Sequence, residues 1–223
     1  MHDVEAELDS RMTHRLLFFS DAVFAIVLTL LVLELKPPET WREANGETLA
    51  HLAPHIAAFA FSFLIIAIFW FAHMNTMRRL ARFDWPTAAA NMLFLLPISL
   101  LPFATAWLGA DPGGAFTWQL YSWVMIAISA ANMVTVLAAY RGRGKLIVGG
   151  APRGEVAYRL LRAVSPGMAF AVGLLMLAAG LNTLAHFAWA AVIPLVFWIA
   201  ERFVKPKPAV MDAPAAEGEA ETA

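Results

Sequence analysis

Six apolar stretches, separated by short polar segments, constrain this chain more than any other feature. They cover about residues 15–36, 48–76, 84–108, 115–140, 156–180 and 185–203. A helix needs roughly 20 mostly apolar residues to cross the hydrocarbon core of a bilayer. Each stretch meets or approaches that length. The segments between them carry the charge and the turn signals: Lys36-Pro37-Pro38, Met77-Arg78-Arg79-Leu80-Ala81-Arg82, Gly109-Ala110-Asp111-Pro112-Gly113-Gly114, and a basic Gly-rich run over 141–154. The sequence therefore predicts an all-α membrane protein with six transmembrane helices. Only 15% of its residues are charged, against about 25% in soluble domains.

Six spans return both ends of the chain to one side. If spans are threaded in order, fourteen of the 16 Lys and Arg residues fall on that side and only Lys36 and Arg42 on the other. Positive loops stay in the cytoplasm, so both termini are expected there. The polar leader 1–14 opens with Asp3, Glu5, Glu7 and Asp9. That acidity is wrong for a signal peptide, so the first apolar segment is expected to remain as a span. The leader is read as mobile or lying on the membrane surface. The tail 204–223 alternates Lys with Pro, turns Ala/Glu-rich, and is expected to be disordered. The whole of 15–203 forms one transmembrane domain.

The net charge of −1 gives no reason to expect a nucleic-acid partner, and the absence of Cys removes thiolate metal sites, disulfides and Cys nucleophiles. His51 and His55 stand four apart near the outer end of the second span; the spacing makes them a weak metal candidate, and they read rather as interfacial groups. No residue set predicts a bound metal or cofactor.

The first span is the unusual one. Ser20 and Asp21 lie about a turn and a half inside it, and a charge at that depth needs a partner or a function. Trp70 and His73, three apart on one face of the second span, reach a similar depth. Asp84 and Asn91 do so near the start of the third. Together they predict a buried hydrogen-bonded cluster joining spans one to three. Polar residues in membrane bundles commonly do no more than join helices, and Trp70, His73 and Asn91 fit that role. At 100° per residue, with Ile26 at zero, Leu33 falls near −20° and Leu30 near +40°. These three make an apolar stripe, which Phe19 and Ala22 extend and Thr29 flanks near −60°. Glu34 lies about 80° from Ile26, at the outer end. Asp21 lies about 140° away and is expected to point into the supporting bundle. By spacing alone the stripe reads as a face toward lipid or another helix.

The string Arg15-x-x-x-Phe19-Ser20-Asp21, followed by Ala22-Val23-Phe24-Ala25-Ile26 and Thr29-Leu30-Leu31-Val32-Leu33-Glu34, resembles the first helix of the transmembrane protein 175 family. These are lysosomal potassium channels and their prokaryotic relatives. The resemblance continues through Trp70-Phe71-Ala72-His73, Asp84, Asn91 and Pro102-Phe103, and thus covers the first three spans. One motif and six spans are similar to the prokaryotic type, which assembles as a homotetramer. The resemblance implies that four first helices surround a central pore that conducts K⁺. It implies a hydrophobic constriction at Ile26, Leu30 and Leu33, with Thr29 tuning selectivity. It also implies that Arg15, Phe19, Ser20 and Asp21 hold the pore helix through Trp70, His73 and Asn91. Partners are then other copies of the chain, membrane lipid and the permeant ion.

No Thr-Val-Gly-Tyr-Gly stretch occurs, so a carbonyl-lined filter is not expected. Nor is any span lined with regularly spaced Arg, as a voltage sensor would be. The competing classes are a secondary transporter of a small cation or solute, a membrane enzyme and a non-conducting scaffold. Pro97, Pro102, Pro166 and Pro194 permit kinks, but no paired half-helices of the transporter kind stand out. Ser20 has no nucleophile elbow or adjacent base, so no enzyme is expected.

Overall fold

The computed structural model describes residues 2–36, 46–81, 83–144, 146–147, 151–152 and 154–205. The described residues are helical apart from turns and one isolated bridge. Helix α1 spans His2–Leu30 and tightens into a 3₁₀ turn at Leu31–Glu34. Then come α2 (Gly46–Met77), α3 (Trp85–Ile98), α4 (Leu101–Ala110), α5 (Ala115–Gly144), α6 (Glu155–Ala178) and α7 (Asn182–Ile199). A π-turn, Ala200–Val204, ends the described chain. Six segments are long and apolar enough to cross a membrane: 11–34, 50–77, 85–110, 115–141, 155–178 and 187–204. The chain is a multi-pass membrane protein.

Three boundaries differ from the sequence expectation. Residues 2–14 are not a separate leader but the first turns of α1. Thr13 is buried there, and its hydroxyl accepts from the backbone N–H of Phe83 at 3.3 Å. Helix α5 runs on to Gly144, into the basic run expected as a loop. The turn after α6 falls at 179–181, where Gly180 takes φ 79° and Leu181 N–H returns to the Met176 carbonyl at 2.9 Å. A left-handed glycine there ends the helix. The acidic loop 39–47 lies mostly, and the tail beyond 205 wholly, outside the described residues.

The third span is broken. Pro97 and Pro102 lack the N–H that an unbroken helix requires at those positions. The ladder slips at Ser99 and Leu100, where Leu100 N–H bonds the Pro97 carbonyl at 3.2 Å, and resumes with Ala104 N–H on Leu100 at 3.1 Å. Side chains take up part of the loss: Ser99 donates to the Leu96 carbonyl at 2.6 Å and Thr105 to that of Leu101 at 2.7 Å. Such re-satisfaction is what lets a helix break inside a bilayer. Pro166 and Pro194, by contrast, sit within continuous α6 and α7.

Helices α5, α6 and α7 pack most extensively, and α3 lies along α5, whereas α1 touches its neighbours sparingly. In their most apolar stretches the first and second spans are 22% buried and the sixth 17%, against 56% for the third and the fourth. The main core joins Phe24 and Leu31 of α1 and its turn to Ile66, Phe94, Ile98, Leu101, Tyr121 and Ile128. Within it the Ser62 hydroxyl pairs with that of Thr105 at 2.7 Å and with that of Tyr121 at 3.0 Å. A second cluster, Met77, Leu80, Val136, Ala139, Ile147 and Ala163, closes the end nearer the termini. Beside it Glu155 is 3% exposed and binds Arg79, Arg159 (2.9 Å) and the Tyr140 hydroxyl (3.1 Å).

The α5–α6 contact is close because Gly167 is small. A Cβ there would stand 2.7 Å from Cβ of Ser129, which has no rotamer that moves it away. Gly167→Ala is expected to cost about 1–3 kcal/mol, the usual penalty of overpacking, and to lower the melting temperature of the detergent-solubilised protein.

Candidate functional site

Two faces of α1 do different things. Ser20, Phe24, Val27 and Leu31 recur at helical spacing and are buried against α2 and α3. Phe19, Ala22, Ile26, Thr29, Leu30 and Leu33 occupy another face and are exposed on the single chain. Ile26 is 56% exposed and Leu33 66%. On the helix wheel the two faces are centred about 130° apart. The stripe expected from spacing is thus a free apolar face turned away from the chain's own bundle. Thr29 adds a polar edge; its hydroxyl donates to the Ile26 carbonyl at 2.8 Å, leaving the oxygen lone pairs outward. Glu34 is half-buried in the 3₁₀ turn.

The buried face is fixed by a chain of hydrogen bonds through three helices. Ser20 donates to the Leu16 carbonyl at 2.9 Å and accepts from Asn91 Nδ2 at 2.8 Å. Asn91 Oδ1 pairs with His73 Nε2 at 2.7 Å. Asn91 is fully buried and His73 nearly so. His73 stacks on Phe94 at 5.5 Å, and Phe24 of α1 leans on both rings at 5.6 and 6.0 Å. A polar thread inside an aromatic sleeve thus sets the rotation of α1 about its axis, and hence which face it leaves bare.

Asp21 stands beside this thread but outside it. It is exposed on the single chain, and its Oδ1 accepts from Trp70 Nε1 at 2.8 Å. The expectation that it enters the bundle is met only by that one contact, since on the helix wheel it lies about 90° from the centre of the buried arc. Asp84 is not in the cluster at all. It caps α3, accepting from Thr87 N–H at 3.1 Å, and pairs with Arg141 of α5. Its place is decided by the helix start it caps: Pro86 fills an early helix position, and a carboxylate just before it satisfies a free backbone donor. Arg15 is exposed on α1. Sequence reasoning missed Phe24, which reads as one more apolar residue in the string until the ring contacts place it between helices.

The residues in this arrangement fall within a stretch that matches known proteins. Residues 15–102 match the family described as "Endosomal/lysosomal potassium channel TMEM175". A protein of Chryseobacterium sp. (strain P1-3) named potassium channel is 37% identical over 97 residues, 44% of this chain and 49% of that one. One of Streptomyces collinus, also named potassium channel, is 35% identical over 122 residues, 51% and 57% of the two chains. A human protein named endosomal/lysosomal proton channel TMEM175 is 26% identical over 140 residues, 62% of this chain and 28% of that one. The chain spans about half the length of the bacterial relatives, 49% and 57%. No solved structure matches. From Arg15 to Pro102, across the Arg15–Asp21 motif, the His73 helix and the Asn91 helix, the chain is similar to the TMEM175 family.

Proposed function

We propose that this chain is the subunit of a homotetrameric, potassium-selective channel of the cell membrane, with both termini cytoplasmic. The carrying observation is the apolar face of α1, with Ile26, Leu30 and Leu33 exposed and turned away from the α2–α3 contact. Four such helices around an axis would bury those residues against one another. The bacterial relatives named potassium channel favour this cation, and the basic asymmetry favours the orientation.

The mechanism follows from the residues. A ring of four Ile26 side chains, backed by Leu30 and Leu33, empties of water when narrow and admits ions when slightly wider. An ion crossing it sheds part of its hydration shell. K⁺ holds that water less tightly than Na⁺, so a water-stripping passage favours K⁺. Thr29 oxygens replace some of the lost ligands, and Glu34 at the outer mouth raises the local cation concentration through its field. The Ser20–Asn91–His73 thread keeps the ring in register.

The test is planar-bilayer recording of purified full-length protein under K⁺, Na⁺ and pH gradients. A current that reverses near the K⁺ equilibrium potential and does not saturate supports the channel. Saturable flux coupled to a second ion would instead indicate a transporter, reversal at the H⁺ potential a proton pathway, and silence a scaffold. Thr29→Val is expected to lower the K⁺/Na⁺ permeability ratio about fivefold. That corresponds to roughly 1 kcal/mol, the typical net value of one polar contact. Reversal potentials in mixed K⁺/Na⁺ solutions measure it.

A further inference from the structure

The proposed pore leaves unused a cleft on the opposite flank of α2. It encloses about 410 Å³ between α2, α5, α6 and α7, within the size range of small-molecule sites. It persists because α2 scarcely touches α6. Its walls are of two kinds. Ile68, Phe71, Pro166 and Phe197 are apolar, while Arg159 and Arg162 close one end. Asn132 also lines the cleft, and its side chain, in a residue only 6% exposed, is directed to no other described residue.

The charged end lies within the first two turns of α6, about 6–10 Å from its start at 1.5 Å per residue. The charges do not cancel. Of the described charged residues only Arg159 and Arg162 line the cleft; they pair with Glu155 and Glu201, which Arg79 and Lys205 also bind, so the two groups hold four cations and two anions. Arg162 is held in place rather than left to wander: it lies 4.8 Å over the Phe197 ring and donates to the Tyr158 hydroxyl at 2.5 Å, which in turn donates to Glu201. A fixed guanidinium is suited to a phosphate oxygen pair.

We propose that this cleft binds an acidic phospholipid, its phosphate at Arg159 and Arg162 and an acyl chain along Ile68, Phe71 and Phe197. Basic pockets between membrane helices take anionic headgroups in this way. The site is independent of the conduction reading, and its test needs no current. Delipidated full-length protein is re-lipidated with phosphatidylglycerol or phosphatidylcholine and the retained lipid counted by native mass spectrometry. The wild-type protein is expected to retain phosphatidylglycerol several-fold better. Arg162→Gln is expected to abolish that preference. Ala72→Phe, which fills the cleft without changing charge, is expected to remove retention of both lipids. Equal retention of the two lipids by the wild type, or an unchanged preference in both variants, overturns the proposal. So does displacement of phosphatidylglycerol by millimolar inorganic phosphate alone, which would make the site one for a free anion. Loss of the oligomer in Ala72→Phe with the lipid preference intact would make the occupant a second copy of the chain, and overturns it too.

Discussion

Ile26→Asn is expected to open the pathway. Bilayer currents should rise severalfold, and the K⁺/Na⁺ permeability ratio should fall toward unity. Asparagine is both polar and smaller than isoleucine, so the ring changes in chemistry and widens. An apolar ring blocks by expelling water from the narrow zone; four amides instead bind water and give Na⁺ ligands it lacked. The free-energy barrier set by dewetting falls, and with it the difference in dehydration cost that separates the two ions. Because Ile26 is 56% exposed on the single chain and contributes nothing to the buried face of α1, each subunit should fold as in the wild type, and the substitution acts on contacts between subunits. Currents equal to wild type in a folded tetramer would show that Ile26 does not line the constriction.

Asn91→Leu acts on the other face of α1 and should cost stability. Asn91 carries two of the buried hydrogen bonds that tie α1 to α2 and α3, to Ser20 at 2.8 Å and His73 at 2.7 Å. Leucine has the same branching but is bulkier, and it pairs with neither. Ser20 retains its bond to the Leu16 carbonyl, so the main loss falls on the His73 nitrogen, buried and unpaired. A polar group stranded in this way costs about 1–3 kcal/mol. Thermal melting and size-exclusion profiles measure the loss, and Asp21→Ala provides the comparison. Asp21 makes one hydrogen bond, to Trp70, on an exposed surface of the chain; its removal should lower the melting temperature less than Asn91→Leu. The opposite order would mean that Asp21 is engaged by another subunit rather than by its own.

That ranking was not visible in the sequence, where Asp21 stands out as the lone charge of the first span. The sequence shows that Ser20, His73 and Asn91 share a depth, because depth follows from counting residues along helices of known direction. It does not show their rotation about neighbouring helices, which decides that Asn91 lies between Ser20 and His73 while Asp84 faces Arg141. Phe24 is the clearest omission. One apolar residue among many carries no polar mark, and only its two ring contacts reveal it as the wedge that orients α1. The cleft beside Arg159 and Arg162 was equally hidden, since it is made by residues from four helices.

Six spans, their lengths and the apolar stripe of the first are properties of the sequence alone. They follow from local constraints: the bilayer's thickness and the helix's period, each acting along one segment at a time. The break between α3 and α4 was legible only as a possibility, in Pro97 and Pro102. Pro166 and Pro194 stand singly and leave α6 and α7 continuous, whereas the third span breaks between two prolines five residues apart. Tertiary structure chose which face of α1 is spent on holding the chain together and which is left bare. That choice is set by side chains far apart in sequence meeting in one buried contact, and no period within a single helix encodes it.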